Sequence, residues 1–231
     1  MVELYTNRGF TMTTPLSQFI RSVEPFSTLP KKEMERLVAS CRIKEFEKGE
    51  TIFREGAYCD SVWVVKEGRV HLVKYLLDGK VSTTCVMAPG EIFCCLSAMD
   101  KRSYPSNAVA AVKTETLRIP IDLFSNLMAQ APFAQRAICL FCDRLRHVEG
   151  RACQMQDPAE RRVGRVLLTL SKKFGETIPL TRQEVAELSG VTLETAIRVI
   201  SRLKKEKLVL TSQRKTITIQ PQALTSFLNR I

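Results

Sequence analysis

Residues 180–208 read LTRQEVAELSGVTLETAIRVISRLKKEKL, and the fold is decided there. The stretch predicts two short helices joined by a tight turn. Thr181 is placed to cap the first, and Glu184 three residues on completes a Thr-x-x-Glu capping box. Val185, Ala186 and Leu188 supply an apolar side, and Ser189-Gly190 ends the helix at a residue that tolerates positive φ. Thr192 is placed to cap the second helix, whose Ala196, Val199, Ile200 and Leu203 recur at helical spacing on one face. Glu194, Arg198, Arg202 and Lys205 fall on the other face. A solvated helical hairpin accounts for the charges alone. The capping box, the turn glycine and the one-sided basic face together give the layout of a helix-turn-helix whose second helix enters a DNA major groove. Beyond it, Gln213-Arg214-Lys215 reads as a polar turn and Thr216-Ile217-Thr218-Ile219 alternates as a strand, which predicts a β-hairpin wing.

Charge supports the same assignment. The chain of 231 residues carries a formal +11, unevenly spread. Residues 158–231 hold 14 Lys and Arg against 6 Asp and Glu, a net of +8, while residues 1–157 hold 21 against 18, a net of +3. A basic C-terminal third beside a nearly neutral remainder points to a polyanionic partner for one domain. No apolar run is long enough to span a membrane and no signal-peptide pattern opens the chain. The expected location is therefore cytoplasmic, with no membrane partner and with the eight cysteines reduced rather than paired.

Upstream, residues 1–15 lack periodicity, and a helical pattern runs from Leu16 to Cys41 with breaks at Pro25 and Pro30. Between Lys44 and Pro120 the pattern changes. Glycines at 49, 56, 68, 79 and 90 punctuate short runs such as Ser61-Val62-Trp63-Val64-Val65 and Arg69-Val70-His71-Leu72-Val73. Asp78-Gly79 predicts a tight turn between two of them. Short strands at this spacing predict an antiparallel barrel or roll, with Trp63 as core filler. Asp122 to Met155 is helical again. From Pro132 onward, Ala134, Ile138, Phe141, Leu145, Val148, Ala152 and Met155 recur at alternating steps of four and three, a heptad seam suited to pairing with a second helix. Packing on the neighbouring β-domain would use a similar stripe. Asp157-Pro158 reads as the hinge into the basic domain. The fold class is α+β: a β-roll sensor domain over 16–130, a dimerisation helix over 131–157, and a winged helix-turn-helix over 158–231.

In order and motifs the chain resembles the catabolite activator/FNR (Crp/Fnr) family of bacterial transcription regulators. The resemblance rests on KGETIFREG (48–56), VWVVKEGRVHLV (62–73), PGEIF (89–93) and LTRQEVAELSGVTLETAIRVISRL (180–203). It implies that Glu194 and Arg198 read base edges, since Arg can donate two bonds to guanine O6 and N7 and Glu can accept from cytosine N4. It implies phosphate contacts around Arg182, Gln183 and Thr192, with Thr195, Arg202 and Lys215 in the same interface. Leu193 stands where the cyclic-AMP type has an Arg, and Ile197 where the best-known members have Gly or Ser. The expected partners are a palindromic DNA duplex and a second copy of the chain, with contact to RNA polymerase left open.

The resemblance breaks in the sensor. Family members that bind cyclic nucleotide carry Gly-Glu after PGE-x-x and Arg-Ser-Ala downstream. Here Cys94-Cys95 and Pro105-Ser106-Asn107 stand at those positions. Both the ribose-binding carboxylate and the phosphate-binding cation are gone, so cyclic AMP is not expected as effector. Glu91, Cys94, Cys95, Ser106 and Asn107 remain the effector-region candidates. Haem held by Cys94, a redox or metal centre at Cys94/Cys95, and cysteines without any special role all stay open. No Ser/His/Asp or Cys/His constellation and no phosphate-cradling P-loop appears, so the chain does not read as an enzyme.

Overall fold

The computed structural model describes residues 15–76, 81–153, 156–212 and 215–230. The turn predicted at Asp78-Gly79, the seam residue Met155 and the wing-tip pair Gln213-Arg214 lie outside the described residues. The chain divides into two compact units, and the division falls inside its longest helix, after His147.

In the first unit, α1 (Leu16–Arg21), a 3-10 turn (Phe26–Thr28) and α2 (Lys31–Ser40) precede the strands. The breaks between them fall at the two prolines, which cannot donate within a helix. There follow β1 (Arg42–Phe46), β2 (Thr51–Phe53), β3 (Ser61–Glu67), β4 (Val70–Tyr75), β5 (Val81–Met87) and β6 (Ile92–Phe93). Next come α3 (Cys95–Asp100), β7 (Asn107–Ala110), β8 (Thr114–Pro120), α4 (Ile121–Met128) and α5 (Ala131–Cys153). The strands pair antiparallel in two four-stranded sheets, ordered β1-β8-β3-β6 and β2-β7-β4-β5. β3 lies inside its sheet, and Ser61 to Val65 are buried without a break, which is why that run reads as continuous rather than alternating.

Aromatic side chains fill the space between the sheets. Phe53 stacks on Tyr104 with ring centroids 3.9 Å apart and lies 6.3 Å from Trp63 and 6.1 Å from Phe93. The Trp63 indole N–H donates to the Tyr104 hydroxyl at 3.2 Å, and that hydroxyl in turn donates to the Ser61 carbonyl at 3.1 Å. Trp63 is core filler with its one polar atom satisfied.

The second unit contains α6 (Ala159–Phe174), β9 (Thr177–Ile178), α7 (Arg182–Ser189), α8 (Leu193–Lys205), β10 (Val209–Ser212), β11 (Ile217–Ile219) and α9 (Pro221–Leu228). β10, β11 and β9 form a three-stranded antiparallel sheet, and β10–β11 is the predicted wing. Gly164 admits α9 against α6: a Cβ there would meet Leu228 Cδ2 at 2.7 Å. The two units give the α+β architecture read from the sequence.

Candidate DNA interface and effector region

The helix-turn-helix is built by local bonds first. Thr181 Oγ1 accepts from the Glu184 N–H at 3.2 Å, and Glu184 Oε2 accepts from the Thr181 N–H at 2.6 Å, completing the capping box. Gly190 ends α7 at φ 60°, a conformation that costs glycine nothing. Thr192 Oγ1 accepts from the Thr195 N–H at 3.2 Å and opens α8. Long-range bonds then fasten the turn. The Arg162 guanidinium on α6 donates to the carbonyls of Ser189 at 3.2 Å and Gly190 at 3.0 Å.

Ala196, Val199, Ile200 and Leu203 of α8 are buried. Leu193, Glu194, Ile197 and Arg198 are exposed together on its first two turns, the end that a helix-turn-helix presents to bases. Thr192 and Gln183 are exposed, whereas Arg182 and Thr195 are half-buried. Gln183 Nε2 donates to Glu187 Oε1 at 3.0 Å, and Lys215 is exposed in the turn between β10 and β11. Arg202 is exposed on the same helix and also makes a contact inside the domain. It lies two turns beyond Glu194, where the 3.6-residue period has rotated it about 80° round the helix. Its guanidinium pairs with Glu160 of α6 at 3.1 Å, so that charge is engaged within the domain.

The effector-region candidates all belong to the first unit, and Glu91 and Asn107 are bonded into its fold. Glu91 is buried, and its Oε2 accepts from the Ala88 N–H at 2.7 Å. Asn107 is buried, its Oδ1 accepting from the Glu55 N–H at 3.1 Å and its Nδ2 donating to the Val73 carbonyl at 3.4 Å. Ser106 is buried beside it. Cys94 caps α3 with a left-handed φ of 65°, unusual for a residue bearing a Cβ. Cys95 is buried, and burial pushes its thiol up to about 12 while the Arg144 guanidinium opposes the rise. Burial, with Cys95 and Cys59 beside it, also pushes the Cys94 thiol far up. Both are thus neutral thiols near pH 7, unlike the lowered thiolates of reactive cysteines. Arg144 reaches the region from α5 and donates to the Ile92 carbonyl. Arg102 pairs with Asp100, its neighbour two residues back, at 3.5 Å. Among the described residues no group of three or more His, Cys, Asp or Glu is placed to hold a metal ion.

On α5, Phe133, Ala137 and Leu140 are buried, and Phe141 packs partly buried on the same core. Ile138, Leu145 and Val148 are 52%, 58% and 60% exposed. Phe141 therefore belongs partly to the roll rather than wholly to a free seam. The side chain of Ala152 lies outside the described residues.

Residues 43–131 match the cyclic nucleotide-binding domain family, and residues 161–227 match the Crp-like helix-turn-helix domain family. One chain carries both, in that order. It belongs to the Crp/Fnr family of transcription regulators. The chain is similar to the cyclic AMP receptor protein of Thermus thermophilus, 27% identical over 187 residues that cover 80% of this chain and 87% of that protein. It is equally similar to the nitrogen fixation regulation protein FixK of Rhizobium meliloti, 27% identical over 208 residues covering 84% and 88%. Among solved structures, FixK2 from Bradyrhizobium japonicum shares the fold with a TM-score of 0.72, at 22% identity over 80% of this chain and 96% of that one.

Membership places α7 and α8 as a DNA-binding helix-turn-helix and the two four-stranded sheets as a cyclic-nucleotide-binding-type roll. Within that roll, the positions that the family resemblance assigns to ribose and phosphate hold no carboxylate and no guanidinium. No described helix is long and apolar enough to cross a membrane. Sequence reasoning did not find Arg162, Glu160 or Arg144, because each acts on a segment far along the chain and leaves no local pattern.

Proposed function

We propose that this chain is a homodimeric, sequence-specific DNA-binding regulator whose β-roll takes no cyclic AMP. It works in three parts: a sensor-type roll over 16–130, a pairing helix over 131–157, and a DNA-binding domain over 158–231. The observation that carries the reading is the exposed set Leu193, Glu194, Ile197 and Arg198 on a helix whose opposite side is core. Glu194 accepts from a cytosine amino group and Arg198 donates to guanine, while Arg182, Gln183, Thr192, Thr195 and Lys215 face phosphates. Arg202 holds α8 to α6 and positions the reading helix.

Pairing through Ile138, Leu145 and Val148 removes three exposed aliphatic side chains per copy from water and sets two recognition helices on successive major grooves, roughly 34 Å apart. The bond from Arg144 to the Ile92 carbonyl ties that pairing helix to the roll beside Cys94 and Cys95. A change in the roll is thereby felt at the seam, and through it in DNA affinity. The residues at the positions that the family resemblance assigns to the nucleotide do not fit cyclic AMP. Glu91 and Asn107 bond to backbone of their own chain, and buried neutral thiols cannot offset a cyclic phosphate.

Light scattering, with duplex titrations in the presence and absence of cyclic AMP, tests the reading. A dimer whose DNA affinity does not change with cyclic AMP is expected. A monomer, or a tenfold rise in affinity with the nucleotide, overturns it. A second reading places haem or a soft metal at the adjacent thiols of Cys94 and Cys95, a ligand type such centres favour. Metal analysis and an absorption spectrum of the protein purified without oxygen test that one.

A further inference from the structure

Two of the four side chains exposed on the leading turns of α8 carry neither charge nor a hydrogen-bonding group. Leu193 is 42% exposed and Ile197 38% exposed, whereas Ala196, Val199, Ile200 and Leu203 of the same helix are buried. Their spacing of four sets one above the other. Each is followed by a charged residue, Glu194 and Arg198, so an apolar row runs beside a charged row. The domain gains nothing in its core from leaving two branched aliphatic groups in water. On the floor of a major groove, the apolar feature they would meet is the C5 methyl group of thymine.

We infer that Ile197, backed by Leu193, is a specificity residue that reads a thymine methyl next to the base pairs read by Glu194 and Arg198. The inference rests on the DNA-binding reading above. Arg and Glu supply directional bonds to guanine and cytosine. Ile197 supplies a shape and desolvation contact that only a 5-methylpyrimidine satisfies, extending the recognised half-site by one A·T pair. Because the group lies on the exposed side of the helix, changing it leaves the domain core intact.

The test removes the methyl and nothing else. The full-length protein selects a duplex from a random-sequence pool, and each thymine of that duplex is replaced in turn by deoxyuridine. One symmetric position is expected to lose about fourfold in affinity per half-site, the equivalent of about 0.8 kcal/mol for one buried methyl-sized group. Changing both half-sites is expected to lose about fifteenfold. Ile197→Ser, folded as judged by its melting curve, is expected to bind thymine and deoxyuridine duplexes equally. A scan without a methyl-sensitive position, or an Ile197→Ser protein that keeps the wild-type ratio, overturns the inference and leaves DNA binding standing. Failure to retain any duplex overturns both.

Discussion

Arg198 and Arg202 stand one helical turn apart, yet their surroundings differ. Arg198 is exposed on the leading turns of α8, while Arg202 is paired to Glu160 at 3.1 Å. Arg198→Ala is expected to cost about 1–3 kcal/mol of DNA affinity and to relax discrimination at one base pair, measured by titrating duplexes that vary at each position. Lys at 198 should not restore the preference, because an ammonium cannot present two parallel donors. Arg202→Ala should leave the preferred sequence unchanged. The two arginines look alike in sequence, and only the packing of α6 tells them apart. The buried thiols make a separate prediction. Burial raises Cys95 from its usual 9.0 to about 12, so the folded state favours the neutral thiol more than the unfolded state does. That contribution is complete below pH 9 and is lost as pH rises toward 12. Unfolding midpoints in urea should therefore fall as pH climbs above about 9, and Cys95→Ala should flatten that fall. An unchanged slope in the variant would remove Cys95 from the account.

Among the elements, those with local causes could be read ahead of the structure. The capping box of α7, the glycine stop, the Thr192 cap and the one-sided spacing of α8 all lie within 29 consecutive residues, and each appears as a bond or a buried face. Thr181→Ala is accordingly expected to destabilise the second unit by about 1 kcal/mol, read from urea unfolding of the full chain. Long-range fastening was not legible. The Arg162 bonds to the turn carbonyls span 27 and 28 residues, and the α9 contact through Gly164 closes on Leu228. Neither leaves a periodic trace. The bonding of the effector region was not legible for a related reason. Ser106 and Asn107 stand at positions to which the family resemblance assigns ligand binding, but Asn107 has both amide atoms bonded to backbone from two other segments. A sequence shows that a binding residue has been replaced, not which strand its successor holds.

For the molecule as a whole, the deciding element is α5, which carries two apolar faces. Phe133, Ala137 and Leu140 are buried in the first unit, whereas Ile138, Leu145 and Val148 are not. The heptad spacing showed a stripe but could not separate packing on the roll from packing on a partner, and Phe141 packs partly buried on the roll. Leu145 separates them, because it is 58% exposed and outside the buried core, so on the proposed reading only a partner would cover it. Leu145→Glu should leave the fold of the single chain intact, as judged by circular dichroism. Across a dimer it removes two leucines from an apolar seam, about 1.5–3 kcal/mol each, so the dimer should weaken by about two to four powers of ten. Sedimentation equilibrium reads that change directly. The monomer can then hold only one half-site, with half the phosphate contacts. The slope of log affinity against log salt should fall to about half its wild-type value, alongside the loss of affinity. A Leu145→Glu protein that sediments as a monomer yet keeps the full salt slope and full affinity would show that one copy suffices. Recognition would then belong to the single domain, and pairing of α5 would play no part in it.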